Sequence, residues 1–388
     1  MRLLGTADLR LAAARLVLRL ALLGALVLTL PACAQHDFFV LGYHPYWMGD
    51  AYEHARLDAI DELLYFELAI EANGTFANTH GWEDRGVRMV ETAHRSATRA
   101  APSLTLFDAA VFTKLFTNPA SVERLLQGTL AAVRDANADG VHLDIELFET
   151  VPPEARDAYT RFVADLSRTL GTGYTVTVFT LALDPADAYD EVGLAEAADY
   201  LVVQGYDLHH QHGDTAGPIS ALRGWGRLNW HAVLDRYDQL RVPRRQLVMA
   251  VPYFGYEWPT VTGEPGAATT GPGEIVAYAP ISARVPEIPG SAVQRAAACG
   301  MRRDPVSGAP FYAYRDAEGQ WRQGWYEDLV SLTEKFDFVK RKQLGGIAVF
   351  PLGFVGGELT AAVVEAVPLA QRTQLPRPVG DAVAIAQP

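Results

Sequence analysis

Eight short runs of β-forming residues recur along this chain, most of them parted by a stretch of helical periodicity. They lie at 38–46, 62–70, 102–107, 139–146, 174–181, 199–206, 246–254 and 345–350. Strands that alternate with helices pair in parallel, because each crossover returns the chain to the same end of the sheet. Eight such units suffice to close a sheet on itself, so the pattern predicts a (β/α)8 TIM barrel rather than an open doubly wound sheet. The segment 119–136 shows how the helices are read. Asn118 caps it, Pro119 takes the first helical position, and Leu125, Leu126, Leu130 and Val133 form an apolar stripe. One interval breaks the rhythm: the gap between 246–254 and a helix expected at 326–342 far exceeds what a βα loop needs. It is rich in Pro, Gly, Ala and Thr, and its FYAYRDAEGQWRQGWY reads as a hairpin turning around Ala317, Glu318 and Gly319. A small α+β insertion domain is therefore expected over 259–324, within a barrel occupying 38–371.

The fourth run, DGVHLDIE, alternates strictly. Successive side chains leave a strand on opposite faces, so Val141, Leu143 and Ile145 share an apolar face and His142, Asp144 and Glu146 share a polar one. Neighbours on that polar face stand about 6.6 Å apart along the strand. Two carboxyls this close do not ionise independently, and the charge of Asp144 is expected to raise the pKa of Glu146. In the sixth run, LVVQGYD, Gln204 and Tyr206 point to one side, and Asp207 follows at once. In a barrel of this kind chemistry gathers at the C-terminal ends of the strands, which brings Tyr206 to the same mouth as Glu146.

Composition narrows the partners. A net charge of −13 argues against nucleic acid and anionic membrane surfaces, both of which reward clustered Lys and Arg. The first 32 residues are a different kind of text: four arginines, then the uncharged run LALLGALVLTLPA. That run is short for a membrane span and suits the apolar region of a secretory signal peptide over 1–32. LPAC resembles a bacterial lipobox, which would make Cys33 a lipidation site and the protein a cell-envelope lipoprotein. ACA satisfies ordinary signal peptidase as well, which would release a soluble secreted protein beginning at Gln35. Residues 33–37 then form a short leading segment, and 372–388 a disordered tail. Cys299 reads as a small buried apolar residue.

The motifs together resemble glycoside hydrolase family 18, the chitinase family. Its strand-four pattern DGxDxDxE is matched by Asp139, Gly140, Asp144 and Glu146, and its strand-six Tyr-Asp pair by Tyr206 and Asp207. VLGYHPYW resembles its first strand, LVMAVPYFGYEW its seventh, WYEDLVSLTEK its last helix and GGIAVFPLG its eighth strand. The likeness runs over roughly 38–365, and the long interval resembles the insertion that walls the groove in some members. It implies a hydrolase of β-1,4 bonds next to N-acetylglucosamine, working without metal or cofactor as a monomer. Glu146 would be the general acid, Asp144 would orient the substrate's acetamido group, and Tyr206 would donate to its oxygen. Tyr43, His142, Gln204, Asp207, Trp258 and Phe350 would bind the sugar. Chitin or chito-oligosaccharide is the first substrate class implied. Peptidoglycan, the chitobiose core of N-glycans, and a non-catalytic glycan-binding role are the alternatives.

Two positions depart from the family pattern. His142 stands where the family has an Asp that shares a proton with the middle Asp, and Phe350 stands where a Trp usually floors the sugar site. From spacing alone, His142 is expected to line the cleft, to hydrogen-bond Asp144 and to add a His-dependent limb to the pH profile, whose position burial would lower and the neighbouring carboxylates would raise. Tyr43, Trp47 and Trp258 fit either a core or a sugar platform. The face taken by Glu67 is left open by the pattern. HHQH at 209–212 reads as cleft lining rather than as a metal site.

Overall fold

A computed structural model describes residues 38–278 and 291–354. The expected leader, Cys33, the segment 33–37 and the tail 372–388 lie outside the described residues. The barrel strands are β1 (Phe39–Pro45), β2 (Glu62–Ile70), β4 (Arg99–Leu106), β5 (Gly140–Ile145), β6 (Thr175–Thr180), β7 (Tyr200–Val203), β8 (Leu247–Pro252) and β14 (Gly346–Phe350). They pair in parallel around the ring, and β1 closes it by pairing with β2 on one side and β14 on the other. A short β3 (Phe76–Asn78) lies antiparallel against the end of β2. Around the sheet run α1 (Val87–Arg95), α2 (Ala109–Phe116), α3 (Pro119–Asp135), α4 (Pro153–Leu170), α5 (Glu191–Ala197) and α6 (Trp230–Leu240). Within β5 the apolar face is wholly buried at Val141, Leu143 and Ile145, as its alternation predicts.

Element ends follow local chemistry. In α3 the Asn118 side chain accepts from Ala120 N at 3.1 Å, with Pro119 at the first turn. The last helix, α8 (Leu329–Lys342), begins later than the expected 326 because Asp328 and Ser331 form a reciprocal capping box. The third barrel strand begins at Arg99 rather than 102. Pro102 has no N–H to give and so reads as a strand start, yet the ladder runs through it, with Tyr65 opposite.

The inward row at the base of the barrel is polar. Arg99 Nε donates to Glu62 Oε2 at 3.3 Å, and its Nη2 donates to Thr175 Oγ1 at 2.6 Å and Gly173 O at 3.0 Å. Asp139 accepts from His94 Nε2 and from Ala100 N, each at 2.8 Å. At Gly140 a Cβ would stand 2.2 Å from Thr175 O, so only glycine lets β5 and β6 approach there.

The second sheet is antiparallel, in the order β10–β9–β13–β12–β11. Its strands are β9 (Phe254–Thr260), β10 (Glu274–Ala277), β11 (Arg302–Arg303), β12 (Pro310–Arg315) and β13 (Trp321–Trp325), with α7 (Ala292–Cys299) packed on it. The sheet begins at Phe254, inside the run read as one strand over 246–254. That run is in fact two strands joined at Tyr253, whose N–H donates to Phe350 O at 2.7 Å. The hairpin of β12 and β13 turns at Gly319, which has φ +80°. Glu257 anchors the sheet: it accepts from Tyr312 Oη at 2.7 Å and Tyr314 Oη at 3.0 Å and pairs with Arg295 at 2.6 Å. Cys299 is exposed at the end of α7, contrary to the buried position its apolar character suggested.

Candidate active site

The mouth of the barrel gathers three carboxyls. Asp144 is the last inward residue of β5. Glu146 lies just past the strand end, held there by its N–H donating to Leu106 O at 3.0 Å. Asp207 lies beyond β7 in the left-handed region, at φ 56°, a conformation Asp tolerates better than most residues. That turn brings its Oδ1 to accept from Tyr256 Oη on β9 at 3.0 Å. The second sheet thus donates a hydrogen bond directly into the mouth of the first.

Electrostatics set these carboxyls apart. Burial, then the charge of Asp207, pushes Glu146 up to about 8. The sequence assigned that role to Asp144, but Asp144 is itself held well above the usual carboxylate range. Burial is the main cause, followed by Glu146 and Glu67. Asp207 is pushed up to about 6 by burial, against the pull of the Tyr256 hydroxyl. Tyr206 is buried, and burial first, then Tyr43 and the charges of Glu146, Asp144 and Asp207, raises its hydroxyl well above its ordinary value. A neutral Tyr206 is a hydrogen-bond donor in that field.

Around the carboxyls runs an aromatic cluster. Phe350 stacks near Tyr206, with centroids 6.3 Å apart and planes at 20°. It stands edge-on to Tyr43, Phe66 and Phe254. Phe350 is half-buried and keeps an apolar surface toward the mouth. Gln204 lies one turn of the alternation below Tyr206, nearly closed off from solvent.

Three sugar-binding expectations are corrected by burial. His142 is fully buried; its Nε2 bonds Tyr43 Oη at 2.8 Å and its Nδ1 bonds Thr177 Oγ1 at 2.7 Å. One ring nitrogen donates and the other accepts, so neither remains for Asp144, and burial lowers the imidazole to about 3. No imidazolium titrates near pH 6 to 7 at this position. Tyr43 is equally buried, its hydroxyl spent on His142 beneath the site. Trp258 is fully buried, and its Nε1 donates to Gln211 O at 3.1 Å, so it packs the second sheet rather than a sugar. His209 also turns inward, Nδ1 donating to Pro218 O at 2.9 Å.

Other residues take the exposed places. Trp47, Phe107 and Phe148 are exposed just past the ends of β1, β4 and β5. Trp47 stands edge-on to Phe66. Glu67, whose face the alternation left open, lies where the register of β2 against β4 shifts, and it turns toward the mouth with Oε1 3.8 Å from His80 Nε2. The signal for the two phenylalanines was present: a large apolar side chain immediately after a strand run, where a βα loop begins.

With the geometry in place, the comparisons decide the family. The family model for glycosyl hydrolases family 18 matches residues 40–354. The chain belongs to glycosyl hydrolases family 18. It is 26% identical over 260 residues to the cortical fragment-lytic enzyme of Bacillus cereus, covering 65% of this chain and 52% of that protein. It is 27% identical over 232 residues to the di-N-acetylchitobiase of Mus musculus, covering 55% and 60%. It shares its fold with the family 18 chitinase from Cycas revoluta solved in complex with (GlcNAc)3. The TM-score is 0.70 at 20% identity, over 84% of this chain and 98% of that one. The chain spans about half the length of several curated relatives it matches.

Proposed function

We propose that this protein is a retaining glycosidase cleaving the β-1,4 bond on the reducing side of N-acetylglucosamine. The observation that carries this is Glu146, a half-buried carboxyl just past the end of β5, grouped with Asp144, Tyr206 and Asp207. Burial and then Asp207 push it up to about 8, toward the protonated state a general acid needs. Glu146 gives its proton to the glycosidic oxygen as that bond breaks. The acetamido oxygen of the same sugar attacks the anomeric carbon and forms an oxazolinium ion. Asp144 holds the acetamido N–H, and Tyr206 donates to the acetamido oxygen and aims it. Glu146, now ionised, takes a proton from the water that opens the ring, so the β configuration returns.

Chito-oligosaccharide is the first substrate class. Peptidoglycan strands are a second, favoured by the likeness to the cortical fragment-lytic enzyme. Digesting chitotetraose, its fully de-N-acetylated analogue and purified peptidoglycan, with products read by mass spectrometry and NMR, separates these readings. Cleavage restricted to N-acetylated substrate with β products is expected. Cleavage of glucosamine oligomers, or α products, would sink substrate assistance. Glu146→Gln should lose about 10²–10⁴-fold in turnover. A variant retaining more than about a tenth of it would remove Glu146 from the acid role and leave a glycan-binding protein as the better reading.

We also infer lipid anchorage at Cys33. A single acyl chain binds membranes marginally, so the several chains of a bacterial lipoprotein would be required. Cys33→Ser should move the protein from the membrane to the soluble fraction. A native chain found to begin at Gln35 would overturn the anchor.

A further inference from the structure

The engagement of His142 by Tyr43 and Thr177 leaves Asp144 without the neighbour that position 142 was expected to supply. Its Oδ1 is buried and has no hydrogen-bond partner. Two more buried polar atoms near it share that condition: Ser103 Oγ on β4 and Glu67 Oε2 on β2. The ladders bring them together. Ser103 is level with His142 on one side and Phe66 on the other, and Thr105 is level with both Asp144 and Ala69. Glu67 occupies the register shift between those two rows, one strand beyond Ser103. Three polar atoms without hydrogen-bond partners thus lie on three consecutive strands at neighbouring levels of the ladder, Asp144 Oδ1 among them. Buried carboxylate oxygens without donors are costly unless a proton lies between them.

We propose that Glu67 is the positioning residue that exchanges a proton with Asp144, in the place vacated at position 142. The proposal rests on the retaining reading above. In the exchange the O–H bond of Asp144 breaks, one forms on Glu67, and Asp144 becomes the anion that holds the acetamido N–H. The proton returns when the sugar leaves, and nothing else is consumed. Ser103, between the two strands, offers a hydroxyl that both donates and accepts. The proximity of Glu67 also shows in its charge raising Asp144. The other charged or titratable groups around Glu67 are His80, stacked on Tyr46 with centroids 3.6 Å apart, and Arg85, which donates to His80 O. His80 faces the opposite carboxylate oxygen, Oε1, while Oε2 is buried and has no hydrogen-bond partner.

The test uses the full-length protein on chitotetraose or on whichever substrate it cleaves, with Glu67→Gln, Glu67→Asp and Glu146→Gln side by side. Glu67→Gln keeps the shape and should lose about 10-fold or more in kcat with KM changed less than about 3-fold. Glu67→Asp, which keeps a carboxyl, should retain more kcat than the amide. Adding His142→Asp to Glu67→Gln should recover kcat, because a carboxyl then stands again beside Asp144. Melting curves confirm that each variant is folded. Unchanged kcat in folded Glu67→Gln overturns the proposal, and so does a raised KM at constant kcat, which would make Glu67 a sugar contact. Equal losses in the Gln and Asp variants overturn it too. If Glu146→Gln stays active, the retaining reading itself fails. If it is inactive while Glu67→Gln matches wild type, only the role of Glu67 falls.

Discussion

Two acidic clusters lie at opposite ends of this one barrel. At the base, Glu62 and Asp139 face Arg99, His94 and backbone N–H groups. Burial lifts Glu62 to about 7 while Arg99 pulls the other way. At the mouth, no lysine or arginine among the described residues counterbalances Asp144, Glu146 or Asp207. The residue types are alike and the consequences opposite. A buried carboxylate with a cation is a strut, whereas buried carboxyls crowded together without one are pushed toward the protonated form, and a held proton is what can be delivered.

That contrast can be broken from either end. Arg99→Met removes the cation from the base and strands the acceptors around it, so stability should fall by about 3–5 kcal/mol, read from urea unfolding. A loss below about 1 kcal/mol would show that the base cluster is no strut. The mouth should respond with the opposite sign. The raised pKa of Glu146 means that the stability present below pH 4.5 is lost progressively as pH rises towards 8. Glu146→Gln does not titrate, so it should be more stable than wild type by on the order of 1–3 kcal/mol at pH 7, with the gain fading near pH 4. Equal melting temperatures at both pH values would mean that Glu146 holds no excess proton. In the wild type, turnover should decline above about pH 8, where Glu146 has lost its proton.

Smaller effects sharpen the boundary between the clusters. Tyr256→Phe takes away a hydroxyl that donates to Asp207, leaving its charge harder to hold. Turnover should change about 3- to 10-fold, with any limb near pH 6 moving upward; an unmoved profile would make Asp207 a bystander. Phe148→Ala should be the mildest. It removes exposed apolar area, so KM should rise about 2- to 5-fold while stability stays within about 0.5 kcal/mol. A large stability loss would return Phe148 to the core.

How much of this was legible depended on range. The alternation of DGVHLDIE told which side chains share a face, and Asp144 and Glu146 follow it. It could not tell what stands across the barrel, and Tyr43 on β1 and Thr177 on β6 are what claim His142. Trp258 shows the same limit, since an aromatic after a strand reads alike whether it faces a sugar or Gln211. The join at Tyr253 was hidden because two consecutive β-forming stretches with no turn residue between them read as one. Glu67 was hidden by the register shift, where period-two counting loses its phase.

The chain passes from β8 to β9 across the single residue Tyr253, and from β13 at Trp325 it reaches the cap of α8 at Asp328. Connections this brief leave no slack to swing on. The second sheet therefore serves the mouth as a fixed jamb and not as a door. On the proposed reading, a glycan would meet a mouth already shaped on this side, which leaves the opposite rim, where the loops past β1, β4 and β5 carry Trp47, Phe107 and Phe148, as the side with room to move.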